Sequence, residues 1–165
     1  MTLHEKRLEN KKMTEKNPKA LNIPRYAAQH FGLELEVSNL AWISIGEPEP
    51  SFRHISNEIL DKATVLKISF SDFTKLEDIQ SGDFPPTKEI ANEILNFILE
   101  NVGKHFVVNC AAGVSRSGAI CKFLQDEFDY DWPKYYQDLA YPNRLLYNLL
   151  IEAHNDYNRI REEIE

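Results

Sequence analysis

The 165-residue chain has no apolar run approaching the roughly 18 residues that cross a bilayer. No apolar stretch of the secretory type follows its charged N-terminus. The expected compartment is therefore the cytoplasm, with no membrane partner. Cysteine is scarce, with Cys110 and Cys121 the two present. That is too few for a disulfide framework, and a chain long enough to bury one sizeable core needs none. A basic balance is also missing: 19 Lys and Arg stand against 26 Asp and Glu, a formal charge of −7. General affinity for a nucleic-acid backbone comes from clustered cations, so no nucleic-acid partner is expected. Repeats and low-complexity tracts are absent. His54, His105 and His154 show no metal-ligand spacing with cysteine or carboxylates, so no metal site is expected. Oligomeric state has no signature in the chain.

What is present suits one soluble globular domain: 42% hydrophobic and 27% charged residues. Charge is unevenly spread. Residues 1–19 hold six Lys or Arg against three Glu, leaving 13 bases and 23 acids in the body. Leu3, Leu8 and Met13 recur every five residues and form no helical face. The sequence thus divides into a basic N-terminal arm, 1–19, solvated or available for docking, and a globular domain, 20–165.

Along that domain an element begins near residues 21–23, and Pro24 suits the first turn of a short helix over residues 24–31. Leu40-Ala41-Trp42-Ile43-Ser44-Ile45, stopped by Gly46, Pro48 and Pro50, reads as an inner strand. Residues 64–70 supply another, ending at Ser71 and Asp72. Residues 71–86 form a loop longer than most connections, and one that long is usually functional. Thr87 reads as the N-cap of an amphipathic helix whose face carries Ile90, Ile94, Phe97 and Ile98. A strand over residues 105–109 follows, then helices from Arg116 to Phe128, after Pro133, and from Asn143 onward. Strands alternating with helices predict an α/β domain: a mainly parallel sheet of about four to five strands with helices on both faces. Ligands of such sheets bind beyond the C-terminal strand ends, where Asp72 and Cys110 both fall.

The most informative stretch is Val107-Val108-Asn109-Cys110-Ala111-Ala112-Gly113-Val114-Ser115-Arg116-Ser117-Gly118. After a strand, a loop of short side chains entering a helix turns consecutive backbone N–H groups inward, and the helix N-terminus adds partial positive charge. Ala111, Ala112, Gly113, Val114, Ser115 and Arg116 are thus candidate phosphate-binding residues. Gly113 allows an unusual backbone angle in mid-loop. A cysteine at the loop entrance shares the field that favours thiolate over thiol. Arg116 presents a planar fork of donors matched to two phosphate oxygens, a geometry lysine lacks. The plainer alternative is a buried cysteine beside an unrelated surface arginine.

These residues resemble the cysteine-dependent protein tyrosine and dual-specificity phosphatases, whose loop is usually written His-Cys-x5-Arg-Ser/Thr. The nearer likeness is to small bacterial and phage-type tyrosine phosphatases. Ser69-Phe70-Ser71-Asp72, Pro86-Thr87 and Pro142-Asn143-Arg144 extend it, and it covers about residues 40 to 155. The resemblance implies hydrolysis of phosphotyrosine, and of phosphoserine and phosphothreonine with it, without cofactor or metal. The partner is then a phosphorylated protein or a small phosphomonoester. Cys110 would be the nucleophile, forming a cysteinyl-phosphate intermediate. Arg116 and the loop N–H groups would hold the phosphoryl oxygens. Ser117 would hydrogen-bond the sulfur and ease its departure.

The leaving oxygen needs a proton. Asp72, 38 positions before Cys110 and at a strand end, is the first candidate for that acid, with Asp78 and Asp83 in the same loop as alternatives. One position departs from the pattern: Asn109 stands where the family carries histidine, and it brings hydrogen-bonding groups but no ionisable ring. A catalytically weak phosphate-binding module that recognises phosphorylated partners is accordingly the alternative function. Cys121 reads as core, with redox pairing to Cys110 the other possibility. Tyr130, Trp132, Tyr135, Tyr136 and Tyr141 form an aromatic patch, assigned to packing ahead of a substrate wall. Asn143 reads as the N-cap of the last helix.

Overall fold

Four short segments, each with apolar residues alternating between two sides, assemble into an all-parallel sheet in a computed structural model. That structure describes residues 2, 3, 5, 17–28, 37–46, 57–80 and 83–164. The strands are β1 (Ala20–Pro24), β2 (Leu40–Gly46), β3 (Thr64–Ser69) and β4 (His105–Cys110), in the order β1-β4-β2-β3. Six helices accompany them among the described residues: α1 (Arg25–Ala28), α2 (Asn57–Lys62), α3 (Lys88–Glu100), α4 (Arg116–Phe128), α5 (Lys134–Leu139) and α6 (Arg144–Ile164). Short 3-10 turns occupy Val37–Asn39 and Leu76–Asp78.

The sheet separates two apolar layers because successive strand side chains point to opposite faces. Phe106, Val108 and Cys110 of β4 join Ala41, Ile43 and Ile45 of β2 in the larger layer, under α3, α4 and α6. Val107, Leu40, Trp42 and Ile23 face the other way and meet Ala28 of α1 and Ile59 of α2. The inner strand β2 is buried along its whole length, as expected of a strand covered on both faces, whereas edge strand β3 is partly exposed. The chain is therefore one α/β domain with helices on both faces of a four-stranded sheet.

The sequence-predicted boundaries hold closely for α4 and for β2. Thr87 caps α3, its Oγ1 accepting from the Ile90 N–H at 3.2 Å. Pro24 departs from expectation: it closes β1, in register with Cys110, and the described helix starts at Arg25. Proline lacks an N–H, which an edge strand tolerates at its end. Residues 29–31 of the expected helix lie outside the described residues, as do most of residues 1–16. Where the N-terminal segment is described, Leu3 packs against the larger core and residues 18 and 19 are fastened to the domain. The Pro18 carbonyl accepts from the Asp131 N–H at 2.8 Å, and the Lys19 carbonyl accepts from Phe106 at 2.8 Å. No helix among the described residues is long and apolar enough to cross a membrane.

Candidate active site

Because all four strands are parallel, the segments after β1, β3 and β4 leave the sheet at one edge. Residues 110–116 form the loop after β4. Cys110 lies at its floor, 2% exposed, and Arg116 opens α4 at 3% exposure. Gly113 has φ of 71°, a left-handed angle that side chains other than glycine's adopt at a cost. A Cβ there would stand 2.3 Å from the Pro24 nitrogen and 2.4 Å from the Ile23 carbonyl carbon. Glycine is thus required twice, for conformation and for close approach to β1.

β1 and the start of α1 each secure the loop. Asn22, buried in an otherwise apolar strand, donates to the Gly113 carbonyl at 2.8 Å and accepts from the Trp132 indole at 2.8 Å. The Arg25 N–H donates to the Ala111 carbonyl at 3.2 Å. On the other side, Tyr141 and Asn143 donate their N–H groups to the Val114 and Ser115 carbonyls at 3.0 and 2.9 Å. Gly118 permits this approach, since a Cβ on it would meet the Ala140 Cβ at 3.1 Å. The carbonyls of Ala111, Gly113, Val114 and Ser115 are thus all bound by flanking segments.

Ser117 is the second residue of α4, its Oγ 3.2 Å from the Cys110 sulfur. Ser115 precedes the helix but does not cap it; its hydroxyl instead donates to Asp72 Oδ1 at 2.9 Å. Asn143 Nδ2 donates to the same oxygen at 2.6 Å and to the Phe73 carbonyl at 2.9 Å, while its Oδ1 accepts from the Leu146 N–H at 2.9 Å. One buried asparagine therefore caps α6 and ties the acid-bearing loop to the phosphate-type loop. The acid-bearing loop closes on itself through a 2.6 Å bond from the Ser71 N–H to the Phe84 carbonyl. Arg116 Nη1 donates to the Phe70 carbonyl at 2.7 Å, drawing the guanidinium toward the end of β3.

Cys110, Arg116, Ser117 and Asp72 are thus brought together, along with Ala111, Ala112, Gly113, Val114 and Ser115. Of the three acids, Asp72 alone bonds the loop: Asp83 accepts from the nearby Gln80 N–H at 2.7 Å, and Asp78 lies exposed on the 3-10 turn. Among the described residues, both hydrogen bonds to Asp72 go to Oδ1 and none to Oδ2. Asn109 is buried, its Oδ1 accepting from the Trp42 indole at 2.8 Å, so the residue before the cysteine is anchored to β2. Cys121 is buried in the core and unbridged; burial first, and the nearby Cys110 second, push its thiol well above the ordinary range. No cluster of three metal-binding side chains occurs among the described residues.

Sequence reading missed Asn22 and the Trp42–Asn109 pair. The available signal was an asparagine inside an apolar strand, because a buried amide has to find partners. The aromatic patch is split: Tyr130 and Trp132 are buried as expected of packing residues. Tyr135 and Tyr141 stand 70% and 83% exposed, because the helix and turn that carry them face solvent.

No family model matches the chain. No curated protein matches it in sequence. Among solved structures it is similar to Tk-PTP in the active form, with 18% identity over 81% of this chain and 74% of that one and a TM-score of 0.42. It is similar to PTPMT1 in complex with PI(5)P, with 17% identity over 87% and 91% and a TM-score of 0.49. A human tyrosine phosphatase-like serine/threonine/tyrosine-interacting protein is similar at 19% identity over 81% and 89%, with a TM-score of 0.41.

Proposed function

We propose that this chain is a cysteine-dependent phosphatase that hydrolyses phosphotyrosine, and phosphoserine and phosphothreonine as well, through a cysteinyl-phosphate intermediate. The observation that carries the reading is the convergence of nucleophile, cation and acid on one loop, with the Cys110 sulfur 3.2 Å from Ser117 and Ser115 bonded to Asp72 at 2.9 Å.

In this reading the phosphoryl group sits on the concave side of residues 110–116. Loop N–H groups and the Arg116 guanidinium hold its non-bridging oxygens and stabilise the charge they carry in the transition state. The Cys110 thiolate attacks phosphorus opposite the ester oxygen. As the P–O bond breaks, Asp72 Oδ2 delivers a proton to the departing alcohol or phenol. Water then attacks the cysteinyl phosphate, giving its proton back to Asp72. Ser117 donates a hydrogen bond to the sulfur, which leaves as thiolate. Asn143 and Ser115 hold Oδ1, so the carboxyl group turns its other oxygen to the leaving group.

The test is an aryl phosphate assay under reducing conditions. Wild type should release phosphate, Cys110→Ser should release none, and Asp72→Asn should slow a poor leaving group by about 100-fold or more while sparing a good one. Phosphopeptide binding without release by the wild type would refute hydrolysis and identify a binding module. An undiminished rate in Asp72→Asn would move the acid to Asp78 or Asp83.

A further inference from the structure

A cleft of about 1020 Å³ opens beside Ser115, lined by Lys75, Lys122 and Arg144 with Tyr141 and Tyr147, and by no carboxylate among the described residues. That is unexpected in a chain of net charge −7. Elsewhere on the described surface, Lys88 pairs with Glu152, Lys134 with Asp138 and Arg159 with Asp156. Lys122, at the far end of the cleft, pairs with Asp126 at 2.7 Å and lies over the Tyr147 ring. Lys75 and Arg144 are exposed and have no ion pair among the described residues. Each follows a residue of the site closely: Lys75 is three positions after Asp72, and Arg144 is next to Asn143.

We infer that this cleft reads acidic residues flanking the phosphorylated tyrosine of a protein substrate, with Lys75 and Arg144 as the specificity-determining cations. The inference rests on the phosphatase reading for the position of the phosphoryl group. Its dimensions favour a polypeptide. From Ser115 to Lys122 is seven residues of helical rise, about 10 Å at ~1.5 Å each. An extended peptide covers that in about three residues at ~3.3–3.6 Å each. An acidic side chain two or three positions from a phosphotyrosine seated in the loop would reach along this cleft, whose lining includes Lys75 and Arg144. The loop itself, built of Ala111, Ala112, Gly113, Val114 and Ser115, adds no second cation for a multiply phosphorylated ring.

The test compares binding by fluorescence anisotropy to the Cys110→Ser protein, using phosphotyrosine peptides that carry either Glu or Gln at the second and third positions on each side. The Glu peptides should bind about tenfold tighter at low salt, the advantage shrinking as ionic strength rises. Lys75→Glu with Arg144→Glu should abolish or reverse that preference, and Lys75→Gln with Arg144→Gln should reduce it, with thermal unfolding confirming that both fold. In the Cys110 background, the same substitutions should leave aryl phosphate hydrolysis within about twofold. Equal affinity for Glu and Gln peptides, a preference that survives charge reversal, or tighter binding of an inositol bisphosphate than of the acidic peptides would overturn the inference. Absence of aryl phosphate turnover by the unmodified protein would instead refute the phosphatase reading, and the peptide comparison would still decide the role of the cleft.

Discussion

Replacing Asn22 by alanine strands three groups at once: the Trp132 indole N–H, the Gly113 carbonyl and, through a longer 3.3 Å bond, the Tyr136 carbonyl. A buried polar group left without its partner costs about 1–3 kcal/mol. Two well-made bonds lost, with water able to refill part of the space, give a destabilisation of about 2–5 kcal/mol. In a domain of this size each kcal/mol lowers Tm by about 2–4 °C, so the variant should melt roughly 5–15 °C below the wild type. If residues 110–116 hold the phosphoryl group as proposed, the functional effect should exceed the general one, because the freed carbonyl lies at the centre of that loop. Differential scanning fluorimetry with and without orthovanadate reads both, since a ligand of the folded state raises Tm by mass action. Trp132→Phe is the control: it removes the indole donor while leaving the Asn22–Gly113 bond, so it should lower Tm yet retain the vanadate shift. An Asn22→Ala protein with unchanged Tm, or with a full vanadate shift, would refute the claim that β1 holds the loop in its binding shape.

Gly113→Ala should lose oxyanion binding altogether, since alanine costs about 1–2 kcal/mol in the left-handed region and its Cβ would collide with the Ile23–Pro24 peptide; isothermal titration with phosphate checks this. Arg116→Lys keeps the charge but loses the planar fork, and kcat/KM for an aryl phosphate should fall about 100-fold or more with little change in Tm. His105 supplies a pH dependence. Burial, and after it the charge of Lys19, hold the ring below its usual pKa, and its Nδ1 accepts from the Lys19 N–H at 3.0 Å. The unfolded chain therefore takes up a proton that the folded one resists. The contribution is complete above about pH 6.5, the unperturbed value, and is lost as pH falls below it. Wild type should lose more Tm between pH 7 and pH 5 than His105→Gln; equal losses would show that this ring does not set the slope.

The features legible in the chain are those written locally. Thr87 before an amphipathic run marks α3, and Gly118 with its following apolar residues marks α4. The apolar run of residues 40–45, interrupted by Ser44 alone, marks an inner strand, because a strand covered on both faces has little polar side to show. The segment 110–116 stands out in the chain because its cysteine, glycine and arginine fall within seven consecutive residues between a strand and a helix. What was not readable depends on partners far apart in the chain. Asn22 meets Gly113 across 91 positions, and Trp42 meets Asn109 across 67. Neither pairing follows from periodicity, since strand order and register create it. The same register explains Pro24, which pairs with Cys110 at the end of an edge strand and so belongs to β1. The contacts that Ser115 and Asn143 make with Asp72, 43 and 71 positions away, likewise depend on the tertiary structure.

The departure at Asn109 acquires a physical setting here. Its amide oxygen takes the Trp42 indole proton, which fixes the strand end from which Cys110 projects. Support of Cys110 therefore comes from a tryptophan–asparagine bond within the sheet and from Ser117 within α4.

The central claim is that Cys110 carries the phosphoryl group between two chemical steps. Rapid acid quench of the protein during turnover of an aryl phosphate, followed by peptide mass spectrometry, tests it directly. The account predicts one added phosphoryl group on the peptide containing Cys110, accumulating further in Ser117→Ala as breakdown of the intermediate slows, and absent in Cys110→Ser. Turnover with no adduct on Cys110, or turnover that persists in Cys110→Ser, would contradict it.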